Sequence, residues 1–368
     1  MTTGMTAGMT ERRTGSRVVV AMSGGVDSST AAALLLEAGH DVVGVTLKLT
    51  DATGTAASIG GRCCGPRDIE DARATAAQLG FPHYVLDETA AFKNAVIDDF
   101  VAEHAAGRTP NPCVRCNEKL KFGPLLRFAR AVGAERLCTG HYARITRDEH
   151  GIRLLRAVDR DKDQSYFLFG VAPSLFAEVE FPLGERTKDE VRAIARRFAL
   201  PNADKPDSQE ICFIPGGDHK AFVEERGGAG RPGEIVDQDG AALAEHTGTH
   251  RFTVGQRRGL PIAGGQRRFV LRIDASSGRV VVGPRNALER RSLRVADLRW
   301  TGGRPPHGWP LRCAVQIRHH ATPAPAWVAA PDAHGCQVEL DAPAVGVAPG
   351  QAAVFYDGDR VVGGGWIT

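Results

Sequence analysis

The sequence lacks the features of membrane, secreted and highly charged proteins. No apolar run approaches the ~18 residues of a membrane span, and the first 15 residues lack the apolar core of a signal peptide. The formal net charge is only +3 over 368 residues, so a surface for nucleic acid must be a local patch. These absences predict a cytoplasmic protein with no membrane association. Residues 1–16, rich in Thr, Gly and Met, are expected to form a disordered extension.

The glycine-rich loop that begins at Ser23 lacks both common nucleotide-binding fingerprints. No Gly-Lys-Ser or Gly-Lys-Thr ends it, which excludes a Walker P-loop, and it has no Gly-x-Gly-x-x-Gly, which excludes a dinucleotide loop. What is present is the run Val18–Val20, then Ser23-Gly24-Gly25, then a helical pattern over 31–36. This order presents backbone N–H groups and the positive end of a helix to an anion, and Asp27 is suited to orient Mg²⁺. The loop predicts a phosphate site, with an ordinary strand-to-helix turn as the alternative.

Strand and helix patterns alternate from residue 17 to about 210, which is typical of an α/β doubly wound parallel sheet. Ligands of such sheets bind beyond the carboxyl ends of the strands, so Ser23 and Gly140, which each follow a predicted strand, are expected at one edge. Past residue 215, Gly and Pro become frequent and short β-branched runs replace the helices. The sequence thus predicts a first domain over 17–214, a small mainly-β linking domain over 215–290 and a C-terminal β-barrel over 291–368.

Eight cysteines in a chain without a secretory signal indicate reduced, working thiols more than structural disulfides. Cys113 and Cys116 follow two prolines, and Cys212 lies far downstream. We expect a helix to begin around Asn117, with Cys116 just before its positive end, which would lower the pKa of the Cys116 thiol.

Other roles for the cysteines stay open. A zinc site needs a second closely spaced pair, and Cys63-Cys64 are adjacent, which is awkward for two ligands of one metal. A redox dithiol, or an iron–sulfur cluster held by three cysteines, is compatible with the pattern. Cys138, Cys313 and Cys336 are expected to be buried apolar side chains.

Several short polar motifs fit either a solvated surface or a contact with nucleic acid. Gly140-His141-Tyr142 follows a short buried strand predicted over Arg136–Thr139, and residues 159–166 are dense in charge. Arg257-Arg258, Arg267-Arg268 and Arg318-His319-His320 are small basic clusters, each of which alone is usually solvated surface.

Taken together and in order, these motifs resemble the bacterial tRNA-specific 2-thiouridylase family, whose first loop is of the ATP pyrophosphatase type. The resemblance runs from about Arg17 to the end of the chain. It rests on Ser23-Gly-Gly-Val-Asp-Ser-Ser29, Gly107-Arg-Thr-Pro-Asn-Pro112, Cys116-Asn117, Thr139-Gly-His-Tyr142, Lys162-Asp-Gln-Ser-Tyr166, Asp207-Ser208, Ile211-Cys-Phe213, Gly255-Gln-Arg257 and Pro349-Gly-Gln351.

The resemblance implies a set of site residues. Cys116 would be the nucleophile and Cys212 the carrier of a persulfide. ATP would be bound by Ala21, Met22, Ser23, Gly24, Gly25, Val26, Asp27, Ser28, Leu47 and Gly140. The target base would face Asn111, Pro112 and Cys113, and tRNA would contact His141, Lys162, Asp163, Gln164, Arg318, His319 and Gln351.

The implied reaction is the ATP-dependent 2-thiolation of the wobble uridine of tRNA. ATP with Mg²⁺ would adenylate the C2 oxygen, the Cys212 persulfide would deliver sulfur, and Cys116 would resolve it as a disulfide or release sulfide. A cysteine desulfurase or a sulfur-relay protein would supply sulfur, and a monomer is expected. Many family members have Asp where this chain has Cys113, so a 4Fe–4S cluster on Cys113, Cys116 and Cys212 is a second route. Two other functions stay open, a small-molecule adenylating synthetase and a non-catalytic RNA-binding protein.

Overall fold

A computed structural model describes residues 15–50, 65–149, 151–207, 211–263 and 267–368. The predicted N-terminal extension lies outside the described residues up to residue 14, as do Cys63-Cys64 and Ser208. None of the helices in these ranges is both long and apolar enough to cross a membrane.

A parallel sheet forms the centre of the first domain. The strands of this part of the chain are β1 (Arg17–Ala21), β2 (Asp41–Lys48), β3 (His83–Asp87), β4 (Arg136–Thr139), β5 (Ala143–Asp148), β6 (Gly151–Arg156) and β7 (Val179–Glu180). Five of them form the parallel sheet in the order β3-β2-β1-β4-β7, and each neighbouring pair is parallel. The first loop and Gly140 therefore follow neighbouring strands, since Ala21 pairs with Thr139 in register.

Helices cover both faces of this sheet, as the alternation of the strand residues requires. The helices are α1 (Val26–Glu37), α2 (Pro66–Leu79), α3 (Thr89–Phe92), α4 (Asp98–Ala105), α5 (Pro112–Cys116), α6 (Phe122–Ala131), α7 (Lys188–Arg197) and α8 (His219–Glu224). Val18 and Val20 pack with α1 and α2, whereas Val19 packs in the larger core on the opposite face. The predicted doubly wound architecture is confirmed.

The helix around the cysteines begins earlier than the sequence reading placed it. It starts at Pro112, and the Asn111 side chain caps it by accepting a hydrogen bond from the Val114 backbone N–H at 3.3 Å. Proline is favoured in the first helical position, because its missing N–H would have no partner there. Cys113, not Cys116, lies in the first turn, so the predicted start at Asn117 is wrong.

Cys116 instead ends α5 and is followed by a π-helical turn, Asn117–Lys121, that leads into α6. Such turns interrupt the regular helical register and are often found at functional sites.

The rest of the chain is β-rich, as predicted. A four-stranded sheet in the order β10-β11-β8-β9 forms the middle domain from β8 (Gly233–Val236), β9 (Ala242–His246), β10 (Phe269–Asp274) and β11 (Arg279–Gly283). The strands that follow are β12 (Glu289–Trp300), β13 (Leu311–Gln316), β14 (Ala324–Val328), β15 (Cys336–Val345), β16 (Ala352–Asp357) and β17 (Arg360–Ile367). They close into a barrel, because β12 pairs with both β15 and β17.

The barrel sheet also includes a hairpin from the first domain. Strands β5 and β6 pair with each other, and Leu155 of β6 pairs with Arg360 of β17. The hairpin thus joins the first domain to the barrel by backbone pairing as well as by side chains. The predicted domain bounds stay a prediction.

Candidate ATP and cysteine site

The loops after β1 and β4 meet in a space that only glycine fits. Gly24 has a left-handed φ of +70°, and a Cβ on it would collide with the backbone of Asp68. A Cβ on Gly140 would lie 2.7 Å from the backbone nitrogen of Ser28. Backbone therefore approaches backbone at this edge of the sheet, which is the geometry of a phosphate cradle.

The serines of the loop fix its shape. The Ser28 hydroxyl accepts a hydrogen bond from the Ser23 backbone N–H and donates one to the Gly25 carbonyl, both at 3.1 Å. Gly25 precedes α1 and supplies no side-chain cap to its first turn. The positive end of α1 is thus open to an anion from the loop side.

Asp27 accepts hydrogen bonds from two buried donors. The Lys188 ammonium lies 2.7 and 2.9 Å from its two carboxylate oxygens, and the Tyr142 hydroxyl lies 2.8 Å away. Burial, then the Asp27 charge, raises the pKa of Tyr142 far above its usual value, so the phenol stays a neutral donor. The Lys188 ammonium therefore supplies the positive charge that faces the Asp27 carboxylate.

Lys188 also links Asp27 to a second carboxylate, Asp207, at 2.8 Å. Lys162 lies 2.8 Å from the other oxygen of Asp207. Burial raises the pKa of Asp207, but hydrogen bonds from Lys162 and Lys188 outweigh burial and bring the pKa to about 2. Two carboxylates and two ammonium groups thus alternate beside the loop.

The back of the loop is held by residues that the sequence reading missed. Lys205 and Asn202 both donate to the carbonyl oxygen of Gly24, at 3.2 and 3.1 Å. Lys205 also pairs with Asp68 at 2.7 Å. Lys188, Asn202 and Lys205 lie far from Ser23 in sequence, and no local pattern marks them. The dense polar run just before Asp207 is the one signal that points to this region.

The cysteines lie on a segment that the barrel holds from one side. The Gln351 amide donates to the Thr109 carbonyl at 2.9 Å, and the Thr109 N–H donates to the Pro349 carbonyl at 2.8 Å. Cys113 is exposed, whereas Cys116 is only 6% exposed.

Cys212 is half-buried and packs against the same core as Cys116. Its neighbour Phe213 packs edge-on against Phe92 and Phe100 in that core. The fold thus packs two segments that are distant in sequence against one core, and each carries a predicted catalytic cysteine.

Arg115, between the two cysteines of α5, contacts the last strand of the barrel. Its guanidinium lies 3.8 Å from the ring centre of Trp366 and 3.1 Å from the carboxylate of Glu118. A cation over an indole face is attracted by the ring quadrupole. The barrel therefore fixes the orientation of the cysteine helix as well as its approach.

The residues implied as tRNA contacts fall into two groups. His319 and Gln351 lie where the first domain meets the barrel, since the His319 ring lies 4.3 Å from that of Phe167 and Gln351 donates to the Thr109 carbonyl. Gln164 accepts a hydrogen bond from the Tyr142 backbone N–H at 3.0 Å within the first domain, and Arg318 donates to the Val254 carbonyl of the middle domain. Lys162 is half-exposed beside Asp207.

Two of the implied tRNA contacts are engaged inside the protein. The Asp163 carboxylate is buried and pairs with Arg156 at 2.7 Å. The His141 ring packs against Phe122 and Phe181, and burial, then Lys121, lowers its pKa to about 3. A neutral imidazole and a buried carboxylate do not attract phosphate, so we do not propose either as a backbone contact.

The side chains implied to bind ATP differ in exposure. Met22, Val26 and Leu47 are buried in the core, so only their backbone atoms are placed to contact a nucleotide.

Cys138, Cys313 and Cys336 are buried as predicted, and burial raises the pKa of Cys313 to about 12 and that of Cys336 to about 11.

The donor sets for the implied metals differ. Within the described ranges, no three His, Cys, Asp or Glu side chains converge to hold a metal ion. A 4Fe–4S cluster on Cys113, Cys116 and Cys212 stays a prediction, because its three thiolates would each bind a different iron and need not converge on one ion. Asp27 is a hard oxygen donor beside a phosphate cradle, which suits the Mg²⁺ that accompanies ATP.

Comparison with known proteins gives matches over nearly the whole chain. Residues 16–216 match a family model described as the tRNA methyl transferase HUP domain. Residues 220–284 match a tRNA methyl transferase PRC-barrel domain, and residues 290–367 match an aminomethyltransferase beta-barrel domain. The tRNA-specific 2-thiouridylase MnmA of Methylorubrum populi is 52% identical over 95% of this chain and 93% of its own length. The chain belongs to the tRNA-specific 2-thiouridylase family.

Other relatives of the same name agree. The protein of Geobacter metallireducens is 49% identical over 95% of this chain and 96% of its own length, and that of Rhodospirillum rubrum is 51% identical over 96% of both chains. Among solved structures, a 4-thiouridine synthetase–RNA complex with bound ATP overlaps 57% of this chain and 49% of its own, with 18% identity and a TM-score of 0.36. The resemblance stated from the sequence is confirmed at the level of the family.

Proposed function

We propose that this protein is a tRNA-uridine 2-sulfurtransferase that uses ATP to place sulfur on C2 of the wobble uridine. The observation that carries the proposal is a hydrogen-bonded path between the glycine loop and the cysteine helix. Asp27 bonds to Tyr142, the Tyr142 backbone bonds to Gln164, and one turn further the Phe167 carbonyl accepts from Asn117, next to Cys116. The glycine loop and the cysteine helix are thus parts of one packed unit, which supports adenylation and sulfur transfer by the same protein.

The loop residues take the ATP in this proposal. The open first turn of α1 and the Ser23 hydroxyl would bind the pyrophosphate, and Gly24 and Gly140 leave the space that it needs. Asp27 would hold the Mg²⁺ that accompanies the phosphates. Bound Mg²⁺ would neutralise charge on the departing pyrophosphate.

The cysteines carry the sulfur. The uridine C2 oxygen attacks the α-phosphorus of ATP, and pyrophosphate leaves. The terminal sulfur of a Cys212 persulfide attacks C2, and AMP leaves. The Cys116 thiolate then attacks the Cys212 sulfur, which breaks the persulfide bond, leaves 2-thiouridine and forms a Cys116–Cys212 disulfide. An external thiol reduces this disulfide, and a cysteine desulfurase or sulfur-relay protein restores the persulfide.

The target uridine would enter beside Asn111, Pro112 and Cys113. Cys113 is exposed at the start of α5, so it is suited to face a substrate. RNA loops present unstacked bases, which such a pocket needs. We further propose that the protein acts as a monomer in the cytoplasm.

The family models are named for methyl transfer, whereas the full-length relatives are named for 2-thiolation. Cys116 and Cys212, together with a loop of the ATP pyrophosphatase type, support thiolation, because neither feature is needed to transfer a methyl group. A small-molecule synthetase would turn over ATP without tRNA, and a non-catalytic RNA-binding protein would not turn it over at all. These outcomes discriminate the two other functions from the proposal.

The test separates adenylation from sulfur transfer. Purified Cys116→Ser and Cys212→Ser variants are incubated with tRNA, ATP and a persulfide donor. We expect both to release pyrophosphate and to form no 2-thiouridine, measured by mass spectrometry of the digested tRNA. Cys336→Ser, at a buried strand position in the barrel, is the matched control and should thiolate normally. Full thiolation by both variants would refute the sulfur-transfer proposal.

A further inference from the structure

The middle domain contains a strongly basic stretch that the proposed reaction does not use. Residues 255–288 include one acidic side chain, Asp274, and seven arginines: Arg257, Arg258, Arg267, Arg268, Arg272, Arg279 and Arg285. The Asp274 carboxylate accepts hydrogen bonds from the Ser276 hydroxyl and from the backbone of Ser276 and Ser277. The single negative charge is thus engaged in its own turn.

Three of these arginines line one open groove. Arg257, Arg267 and Arg285, with Phe269, surround a concave space of about 560 Å³. All three arginines are exposed. No carboxylate of the described residues forms a salt bridge with any of them.

Exposed arginines elsewhere on the chain are often paired. Arg294 lies 2.7 Å from Asp332, and Arg312 lies 2.6 Å from Asp341. Three like charges around one concave surface repel each other unless an anion lies between them. The contrast indicates that the groove is shaped for an external anion.

The groove lies next to the part of the molecule that approaches the cysteine helix. Val254, three residues before Arg257, accepts a 3.5 Å hydrogen bond from Arg318. Val254 also packs with Leu288 and Ala348 in a cluster that joins the middle domain to the barrel. Ala348 immediately precedes Pro349, whose carbonyl holds Thr109. A polymer seated beside Cys113 and Arg318 thus has a short route to the groove.

We propose that the groove of Arg257, Arg267 and Arg285 binds the phosphodiester backbone of the tRNA substrate, away from the reacting nucleotide. The identity of this RNA rests on the proposed function. Guanidinium groups bind phosphate oxygens through paired N–H donors, and such contacts position RNA without reading its sequence. The middle domain would then supply affinity and orientation, while the first domain and the barrel hold the target base.

The test measures tRNA binding without ATP, so it does not depend on thiolation. Arg257→Gln/Arg267→Gln/Arg285→Gln is compared with a control that also loses three positive charges, Arg130→Gln/Arg294→Gln/Arg312→Gln. The control arginines are surface residues paired with carboxylates. Filter binding of a full-length tRNA transcript is measured between 50 and 200 mM KCl.

The Gln variant of the groove should bind tRNA more weakly, and its affinity should depend less steeply on salt concentration. Three lost phosphate contacts should make the slope of log affinity against log salt shallower by about 2.7. Between 50 and 200 mM KCl, the wild type should therefore lose about 40-fold more of its affinity than the Gln variant does. Arg257→Lys/Arg267→Lys/Arg285→Lys keeps the charge and should keep most of the slope. In thiolation assays, the Gln variant should show a raised KM for tRNA and an unchanged kcat.

Three results would overturn the proposal. The first is an unchanged salt slope in the Gln variant, and the second is an equal loss in the charge-matched control or in the Lys variant. The third is binding of tripolyphosphate that only the Gln variant loses, together with unchanged tRNA binding, since the groove would then bind a small polyanion. Failure of the proposed function is distinct, because wild-type protein would then bind tRNA through the groove and form no 2-thiouridine.

Discussion

Replacing Lys188 by methionine should remove the cation that holds Asp27 and Asp207 together. The Lys188 side chain is 10% exposed, and its ammonium makes two hydrogen bonds to Asp27 and an ion pair with Asp207. Removing one partner of a buried charge pair costs about 3–5 kcal/mol. Asp27 and Asp207 are 32% and 24% exposed, so water screens part of this cost. We expect about 2 kcal/mol of coupling between Lys188 and Asp27.

A double-mutant cycle isolates this coupling. Lys188→Met, Asp27→Asn and the double variant are unfolded in urea and followed by circular dichroism at 222 nm, a signal that reports mainly on the helix-rich first domain. The matched control pair is Arg196 and Asp204, whose side chains are 61% and 80% exposed at 3.1 Å. The control pair should show a coupling below about 0.5 kcal/mol.

A coupling between Lys188 and Asp27 no larger than that of the control pair would refute the reasoning. It would mean that Lys188 is a solvated neighbour and not the cation that fixes Asp27. The same variants test function, since Lys188→Met should also slow tRNA-dependent pyrophosphate release if Asp27 must be held in place.

Three more predictions follow from the geometry. Gly140→Ala should abolish pyrophosphate release, because its Cβ would lie 2.7 Å from the backbone of the first loop. The control Gly123→Ala, whose Cβ would meet only the flexible Arg127 guanidinium at 3.6 Å, should release pyrophosphate normally. Equal activity of the two variants would contradict the phosphate cradle. Trp366→Leu should lower kcat for thiolation several-fold and leave pyrophosphate release intact, because it frees Arg115 on the cysteine helix; a loss of both activities would point to general unfolding. Asp207 has a folded pKa of about 2 against an ordinary 3.8, and after solvent screening it should contribute about 1–2 kcal/mol. This stabilisation is complete above about pH 5 and is lost as the pH falls through 2, so the urea midpoints of Asp207→Asn and wild type should converge over that range.

The local parts of the fold could be predicted from the sequence. The short strand Arg136–Thr139 was predicted with its observed bounds, because a buried apolar run between two polar segments has few other readings. That Gly140 and the first loop lie at the same edge of the sheet followed from the rule that parallel strands end at one edge. The direct contact between them depends on the pairing of β1 with β4, which the sequence did not predict.

Long-range pairings could not be predicted in the same way. The β5–β6 hairpin was missed, because its residues alternate weakly and its partner β17 lies near the other end of the sequence. Lys188 and Lys205 were missed for the same reason, since each looks solvated in the sequence until the fold places it beside a carboxylate that is distant in the chain. The start of α5 was different: Asn111 and Pro112 are ordinary cap and first-turn residues, and the local signal was misread.

The position of Trp366 on β17 has a consequence for the order in which the protein becomes competent during synthesis. The glycine loop, both cysteines of α5 and Cys212 all leave the ribosome before β17 does. Because Arg115 and the β5–β6 hairpin both contact β17, the cysteine helix cannot reach its final orientation until that strand has been made and paired. Such distant contacts close slowly, because the intervening chain must first lose its freedom. On the proposed mechanism, a nascent chain whose glycine loop had already folded would therefore not yet hold its cysteine helix in the orientation needed to deliver sulfur.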